Sequence, residues 1–467
     1  MIIASIFLLS ISAVSWFKKP YVTICLILFL LPHQFILKKV FDNQFNSGDL
    51  FSIWKETLII ILLIKTYKEK ELSIVKIQSL IVAFVILAVL FYVITDNHIT
   101  SLANLRNYTF PILAFVIIAT YKFDVGSKYI IRSIIYSSLI AICLGFVQQY
   151  LLNIPIATYK GTIDFIDDSG YIKYTTNSFR IMGIERMSGG FAGPNDFGVY
   201  FSLIVVFSVV LLSSTQRNLG SRLFNVITIL NLIGSLACLI LSFSRAGWFI
   251  LLASLLVIFL IQIKSKIKTT FIVLVTILVT LALALAFIPE TVIKASEVLT
   301  GSISMKEASA ADRGNQFWKG VEKTITEPLG HGVGTSDIRY AESLGFFVES
   351  AWWNIGYELG LMGLILFLYI NLQILLRIIH FRWYSRRYKV LFSFDSYAIA
   401  LMVATIIAGF ISINVVGTTY IYYFWIFIGL AFKTLNKSNA HPIFVNNNKN
   451  VNLLPDEIYD YHSEVNA

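Results

Sequence analysis

Three arginines and one glutamate are the side chains of this sequence best suited to chemistry on a phosphorylated substrate. Arg186, Arg245 and Arg313 carry planar guanidinium groups, which hold phosphate oxygens bidentately and stay protonated. Glu349 carries a carboxylate, which can take a proton from an attacking hydroxyl if burial tunes its pKa. Without a metal ion, fixed cations must meet the negative charge that builds on a leaving group. These residue types are suited to group transfer from an anionic donor to a hydroxyl.

Each of these residues also has an ordinary structural interpretation. Arg245 can be a snorkelling residue at a helix end, and Arg186 can pair with Glu185 or with the aspartates of its own loop. Arg313 can lie on the polar face of a surface helix. Glu349, at a helix start, can complement the helix dipole, an effect of about 0.3–1 kcal/mol. The two sets of interpretations differ in whether the side chains share one side of a membrane.

Three other residues belong to the same group of candidates. Glu358 lies about two and a half turns beyond Glu349 and is either a buried acid or the partner of a polar neighbour. His331 can act as the base, but it stands between glycines. Arg106 either joins the arginines or is a plain interfacial residue. We therefore predict Glu349 and Arg245 as catalytic, and Arg186, Arg313, Arg245, His331 and Glu358 as substrate-binding.

The apolar segments that position these residues identify an integral membrane protein. Of 467 residues, 57% are hydrophobic and 14% charged, and apolar runs near the length of a bilayer crossing recur. Each crossing must be helical, because lipid offers no partner for backbone N–H and C=O groups. We predict an all-α, polytopic fold of about 12–14 transmembrane helices. The predicted spans are 1–17, 20–37, 50–64, 77–95, 107–121, 129–152, 196–214, 223–243, 246–263, 270–288, 351–376, 396–414 and 419–433.

Lysine and arginine residues orient these spans. They collect after the first, third, fifth, seventh, ninth and eleventh spans, at residues 18–19, 65–76, 122–128, 217–222, 264–268 and 377–389. The positive-inside rule makes these loops cytoplasmic and places the three arginines and Glu349 on the outer side. Lys38 and Lys39 conflict with this scheme, because they fall outside.

The domain organisation follows from the same pattern. We predict a single transmembrane domain over residues 1–433, with outer loops at 153–195 and 289–350, and a flexible cytoplasmic tail at 434–467. All three cysteines fall in predicted spans, so neither a disulfide framework nor a thiolate metal site is expected. The formal charge of +10 is explained by the cytoplasmic loops and anionic lipid headgroups, without nucleic acid.

The two outer loops are long enough to be functional. The first mixes aromatic and acidic residues, which suits sugar faces and hydroxyls but also an ordinary amphipathic surface. In the second, spacings of three and four predict a helix from Ala311 to Thr326 along the membrane surface, ended by Pro328. The glycine-rich stretch Gly330–Ser336 follows, and it can either wrap an anion with its N–H groups or form a plain turn.

Four motifs in order resemble the O-antigen polymerase and O-antigen ligase superfamily of bacterial envelope enzymes. Their order and spacing over about residues 180–370 carry the resemblance, because each motif alone is short. The motifs are Arg186-Met-Ser-Gly-Gly-Phe-Ala-Gly-Pro-Asn195, Ser242-Phe-Ser-Arg-Ala-Gly247, Arg313-Gly-Asn-Gln-Phe-Trp318 with Pro328-Leu-Gly-His-Gly-Val-Gly334, and Glu349-Ser-Ala-Trp-Trp with Tyr357-Glu-Leu-Gly-Leu-Met-Gly363.

The resemblance implies a metal-independent membrane glycosyltransferase without a cofactor. Such enzymes move a glycan from undecaprenyl diphosphate to an acceptor hydroxyl at the outer face of the bacterial cytoplasmic membrane. It implies a carrier-linked glycan as donor and as acceptor, contact with membrane lipids, and a chain-length regulator and a flippase as partners. Ligases carry a histidine where this sequence offers Glu349, a difference that favours a polymerase.

Two other classes of protein remain as alternatives at this point. A flippase or other transporter would also have many helices, but with ionisable residues at mid-membrane, short loops and often internal repeats. No convincing repeat is present, and charge is concentrated in the loops. A scaffold protein would explain the helices but not the four motifs.

Overall fold

The computed structural model describes most of the predicted transmembrane domain. The described residues are 2–45, 52–68, 77–95, 98–120, 126–152, 164–166, 172–174, 180–181, 184–213, 222–261, 308–336, 348, 350–385, 395–410 and 412–440. The predicted span 270–288 and residues 441–467 of the predicted tail lie outside them, whereas residues 434–440 of that tail are helical.

Helices dominate the described part, so the all-α prediction is confirmed. A 3-10 turn at Leu31–His33 links α2 to α3, a π turn at Gln148–Leu152 extends α7, and a 3-10 turn at Ile413–Val416 precedes α14. The helices are α1 (Ile2–Phe17), α2 (Pro20–Leu30), α3 (Gln34–Phe45), α4 (Trp54–Lys68), α5 (Gln78–Val93), α6 (His98–Thr120), α7 (Ser127–Val147), α8 (Pro194–Ser213), α9 (Arg222–Ser242), α10 (Arg245–Ile261), α11 (Ala308–Thr326), α12 (Ala351–Ser385), α13 (Asp395–Ala408) and α14 (Thr418–Ala440).

Two short antiparallel hairpins interrupt the first long loop. Strand β1 (Asp164–Ile166) pairs with β2 (Ile172–Tyr174), with Phe165 opposite Lys173. Strand β3 (Arg180–Ile181) pairs with β4 (Ile184–Glu185). Because they lie within the loop, they leave the helical class of the domain unchanged.

The helices confirm a polytopic membrane protein. Among the described residues, six helical runs are long and apolar enough to cross a bilayer, and shorter apolar helices accompany them. Most predicted spans match helices to within a few residues at their ends. The predicted span 107–121 starts too late, since α6 already begins at His98. Its first turns are polar, and hydropathy alone does not mark such turns as helical.

Helices α8, α13 and α14 form the centre of the bundle. Helix α8 packs against α9 and α10, α10 packs against α13, and α14 packs along α6. Almost every side chain of α8 is buried, which explains why its sequence is apolar on all faces. Aromatic rings join these helices: Tyr397 lies 4.8 Å from Phe427 and 5.5 Å from Phe207, between ring centroids. The centre is therefore a packed protein core rather than a lipid-facing layer.

The helix ends fall into two groups, one at each end of the bundle, as the predicted topology requires. At one end, Lys65 Nζ lies 2.5 Å from the carbonyl oxygen of Lys18, so two lysine-rich loops meet; we call this the lysine end. At the other end, Arg186 contacts the Ser242–Ser244 turn and Ser350 contacts Gly409; we call this the arginine end. Every pair of loops joined by these contacts was predicted to share a side of the membrane.

Candidate functional site

Residues 186–191 form a buried loop that is inserted between helices at the arginine end. Met187 donates its N–H to the carbonyl oxygen of Leu241 at 2.9 Å, and its side chain is buried. The side-chain oxygen of Gln148, in the π turn after α7, accepts the N–H of Ser188 at 3.1 Å and also that of Gly189. Gln148 thus satisfies buried N–H groups that lie outside any helix. This loop is an internal element rather than a surface segment.

The Ser242–Ser244 turn joins α9 to α10 and sets the start of α10. Phe243 adopts φ +49°, an uncommon conformation for a residue with a side chain. Ser244 caps α10: its Oγ accepts the N–H of Gly247 at 3.2 Å, the N3 position. Gly247 packs against the backbone of Gly198 so closely that an added Cβ would lie 2.7 Å from the Gly198 carbonyl carbon. The first turn of α10 is therefore fixed against α8.

Arg186 connects the buried loop to this turn. Its Nε donates to the carbonyl oxygen of Ser242 at 2.9 Å, and its Nη2 donates to Asn195 Oδ1 at 2.6 Å and lies 3.4 Å from the carbonyl oxygen of Phe243. The side chain is 7% exposed. Asn195 accepts this hydrogen bond from the first turn of α8. These contacts orient the guanidinium toward the Ser242–Ser244 turn.

Arg245 is the first residue of α10 and is partly exposed. It follows directly on the turn that Arg186 holds, and the Ser244 cap fixes its backbone. The structure thus brings Arg186 and Arg245, predicted from separate motifs, to one place. The two arginines therefore meet in a corner at the N-terminus of α10, the end at which a helix dipole favours an anion.

Glu358 lies in a buried hydrogen-bond network near the end of the first part of α12, two residues before Gly360. Its Oε2 lies 2.8 Å from the Tyr108 hydroxyl, and its Oε1 accepts the Ser336 hydroxyl at 2.7 Å. Asn354 Oδ1 lies 2.9 Å from the same Tyr108 hydroxyl. The carboxylate is fully buried. Of the two predicted interpretations of Glu358, these contacts favour that of a partner for polar neighbours, joining α6, α12 and the glycine-rich stretch.

The glycine-rich stretch packs against a break in α12. Gly360 has φ +73° and ψ +175°, and Gly330 has φ +81°. A Cβ on Gly330 would lie 2.4 Å from the Gly360 nitrogen, so both positions need glycine. The N–H groups of His331 and Gly332 donate to the carbonyl oxygens of Tyr357 and Glu358, at 2.9 and 3.0 Å.

These contacts decide between the two alternatives left open by the sequence, in favour of a structural turn and against N–H groups that wrap an anion. Four consecutive N–H groups, from Gly330 to Val333, donate to backbone carbonyl oxygens. A peptide N–H that completes the backbone hydrogen bonds of a broken helix is not available to a ligand. The stretch instead packs between α12 and the end of α5, where the N–H of Val333 donates to the carbonyl oxygen of Phe91.

His331 points away from the buried network. Its Nε2 lies 2.5 Å from Glu327 Oε2, and its ring stacks on Tyr357 with centroids 4.2 Å apart. Hydrogen bonding from Lys323 lowers the pKa of Glu327, and His331 acts in the same direction. Because this contact engages Nε2, a role for His331 as a base would fall to its Nδ1.

Arg313 and Glu349 are the two predicted site residues whose side chains the structure leaves undescribed. Arg313 lies on α11, which confirms the predicted helix with a start at Ala308. Helix α11 packs on α12 through Phe317 and Trp353, with ring centroids 6.0 Å apart. Glu349 lies outside the described residues, between Val348 and Ser350. Ser350 is tied to the end of α13 by a 3.0 Å hydrogen bond to the Gly409 carbonyl oxygen.

Three site residues were missed in the sequence. The side chains of Tyr108, Asn354 and Ser336 all take part in the Glu358 network, yet no role was predicted for any of these side chains. Tyr108 and Glu358 are 250 positions apart, and no local pattern pairs them. A buried acid in an apolar span was the available signal, since such a group requires polar partners.

One family model matches part of the chain. Residues 230–368 match the family model described as O-antigen ligase, which confirms the predicted resemblance over that part of the chain. The match covers less than half of the chain and includes Arg245, α11, the glycine-rich stretch and Glu358, whereas Arg186 lies outside it. No curated protein matches the chain.

Proposed function

We propose that this protein is a membrane glycosyltransferase that polymerises undecaprenyl diphosphate-linked oligosaccharide repeat units. The match of residues 230–368 to O-antigen ligase supports a membrane enzyme of glycan transfer. The observation that carries the proposal is the contact of Arg186 with the turn that precedes Arg245. It supports a site in which Arg245, presented by a turn that Arg186 holds, and the N-terminus of α10 meet a carrier diphosphate.

In the proposed reaction, the acceptor sugar hydroxyl attacks the anomeric carbon of the donor glycan. The new glycosidic oxygen–carbon bond forms as the bond from that carbon to the diphosphate oxygen breaks. The electron pair leaves with the undecaprenyl diphosphate, and Arg245 meets the added charge with its guanidinium. Arg186 holds the turn in place, and Arg313 adds a further cation from α11. The reaction takes place at the outer face of the bacterial cytoplasmic membrane.

The acceptor hydroxyl must lose its proton during this attack. We assign the proton to the Glu349 carboxylate, because Glu358 is enclosed and already accepts two hydroxyl groups. Glu358 then joins α6, α12 and the glycine-rich stretch through its hydrogen bonds. The role of Glu349 is a general-base role with an expected effect of about 10²–10⁴-fold.

O-antigen ligase activity is the second candidate, favoured by the description of the matching family. The two candidates differ in product. Purified protein in proteoliposomes, supplied with undecaprenyl diphosphate-linked oligosaccharide, should form a ladder of increasing length if it is a polymerase. A single transfer to a separate lipid acceptor would identify a ligase, and movement of the glycan across the membrane without any new bond would identify a flippase.

A further inference from the structure

We infer that Lys55, Glu56 and Arg106 form a second anion site at the arginine end, for the phosphate-bearing head of a second lipid-linked glycan. The inference rests on the proposed function, because a polymerase must hold two carrier-linked chains at once. It concerns residues outside the four motifs and outside the matched segment 230–368.

Two cations share one carboxylate oxygen in this cluster. Glu56 Oε1 accepts the Nε and Nη2 of Arg106 at 3.1 and 2.9 Å, and it lies 3.3 Å from Lys55 Nζ. The carbonyl oxygen of Ser52 accepts both Lys55 Nζ, at 3.1 Å, and Arg106 Nη2, at 2.7 Å. Tyr422 of α14 reaches the same Glu56 oxygen at 3.3 Å.

Among the described residues of this buried cluster, two cations share one carboxylate. The side chains of Lys55 and Glu56 are each 6% exposed and that of Arg106 is 19% exposed. Lys38 of α3 is also close enough to act electrostatically on Lys55. A buried positive charge is costly, and an anion bound beside Lys55 and Arg106 would offset that cost.

The second oxygen of Glu56 points to a ligand that carries hydroxyl groups. Within the described part of the structure, Glu56 Oε2 is buried and has no hydrogen-bond partner. A carboxylate oxygen in this state requires a donor. A head group with phosphate oxygens for Lys55 and Arg106, and a sugar hydroxyl for Glu56, satisfies all three side chains together.

Helix α14 separates this cluster from the corner formed by Arg186 and Arg245. Tyr422 contacts Glu56, whereas the next residue, Tyr423, packs on Tyr200 of α8 with ring centroids 5.4 Å apart. The first turn of α14 lies at the arginine end, where Thr419 accepts a hydrogen bond from Gln34. The two cationic sites therefore lie at the same end of the bundle, on different faces of one helix.

The test counts bound diphosphates by native mass spectrometry, with farnesyl diphosphate as probe and phosphatidylcholine nanodiscs as the membrane. Wild-type protein should bind two molecules. Arg106→Gln and Lys55→Gln should each weaken the binding of the second molecule by about tenfold. This is the scale of one hydrogen bond to a charged group. Lys65→Gln, at the lysine end, is the matched control and should leave both molecules bound.

Glu56→Gln should have the opposite effect on binding. It therefore tests the inference even if Arg106→Gln and Lys55→Gln fold poorly. Removing the negative charge should tighten farnesyl diphosphate at the second site, whereas a purely structural ion cluster predicts a less stable protein with unchanged binding. A glucosylated probe should bind the wild type more tightly than farnesyl diphosphate, and Glu56→Ala should remove that advantage.

Three outcomes would overturn the inference. One is a single bound diphosphate in the wild type, and another is unchanged affinity in both Arg106→Gln and Glu56→Gln. The third is displacement of the second farnesyl diphosphate when phosphatidylglycerol replaces phosphatidylcholine, which would identify a site for a phospholipid head group. A wild-type protein that forms ladders but binds one diphosphate would refute this site and leave the proposed function standing. Two bound diphosphates without any glycan transfer would support this site and refute the proposed function.

Discussion

Arg186 donates its Nε–H to the carbonyl oxygen of Ser242 at 2.9 Å, from a buried position 56 residues earlier in the chain. The same guanidinium reaches the carbonyl oxygen of Phe243, whose positive φ turns the chain into α10. Arg186 is thus a structural support for the turn that presents Arg245. A residue that supports a turn and a residue that binds substrate respond differently to substitution.

We expect Arg186→Lys to lower stability although it retains the charge. A lysine cannot reproduce the planar fork, and each buried carbonyl oxygen left unpaired costs about 1–3 kcal/mol. The melting temperature of the purified protein measures this loss. Arg222→Lys, an exposed arginine at the start of α9, is the control and should leave it unchanged. A melting temperature for Arg186→Lys equal to that of the wild type would show that the contacts are dispensable.

The Gly360 break predicts a position-specific effect of alanine. A Cβ at Gly360 would lie 2.5 Å from the carbonyl oxygen of Pro328, and φ +73° strains any residue with a side chain. Gly360→Ala should destabilise the protein by at least about 1–2 kcal/mol. Gly314→Ala, in open space on α11, should be neutral or stabilising by up to about 1 kcal/mol. Equal melting temperatures for the two variants would contradict the described packing.

Glu358 and Tyr108 should behave as a coupled pair. Glu358→Gln and Tyr108→Phe each break the 2.8 Å contact, so the double variant should lose less than the sum of the two. A double-mutant cycle on the free energy of unfolding should give a coupling of about 0.5–3 kcal/mol. Additive losses would mean that the buried network is not cooperative and that Glu358 has another role.

Glu349→Gln separates catalysis from helix capping. If Glu349 takes the acceptor proton, glycan transfer should fall by about 10²–10⁴-fold while carrier binding is retained. If it only complements the helix dipole, stability should fall by at most about 1 kcal/mol with transfer almost intact. Glu322→Gln, on the exposed side of α11, is the control. Turnover near the control value would remove Glu349 from the mechanism.

The helices were predictable from the sequence for a physical reason. Lipid requires long apolar helices, and lysine-rich loops mark one side, so hydropathy and charge locate most spans. The same reasoning failed at His98, where polar turns extend α6, and it left Lys38 and Lys39 in conflict with the positive-inside rule.

The candidate site was only partly predictable. Motifs identified Arg186 and Arg245, but their proximity depends on a loop that folds inward and on the close approach of Gly198 and Gly247. The packing of the glycine-rich stretch between α5 and α12 depends on the break at Gly360, which interrupts an otherwise continuous helical pattern. Contacts between residues far apart in the chain produce no periodic pattern in the sequence.

The release of undecaprenyl diphosphate is the most direct test of glycan transfer at Arg245. Purified wild-type protein and Arg245→Lys are compared in proteoliposomes, with Arg222→Lys as a helix-start control at the lysine end. The wild type and the control should release one carrier for each repeat unit joined. Arg245→Lys should release about 10²–10³-fold less, because an ammonium does not reproduce the bidentate contact with the developing charge. Wild-type release by Arg245→Lys, or polymer formation without carrier release, would contradict the account.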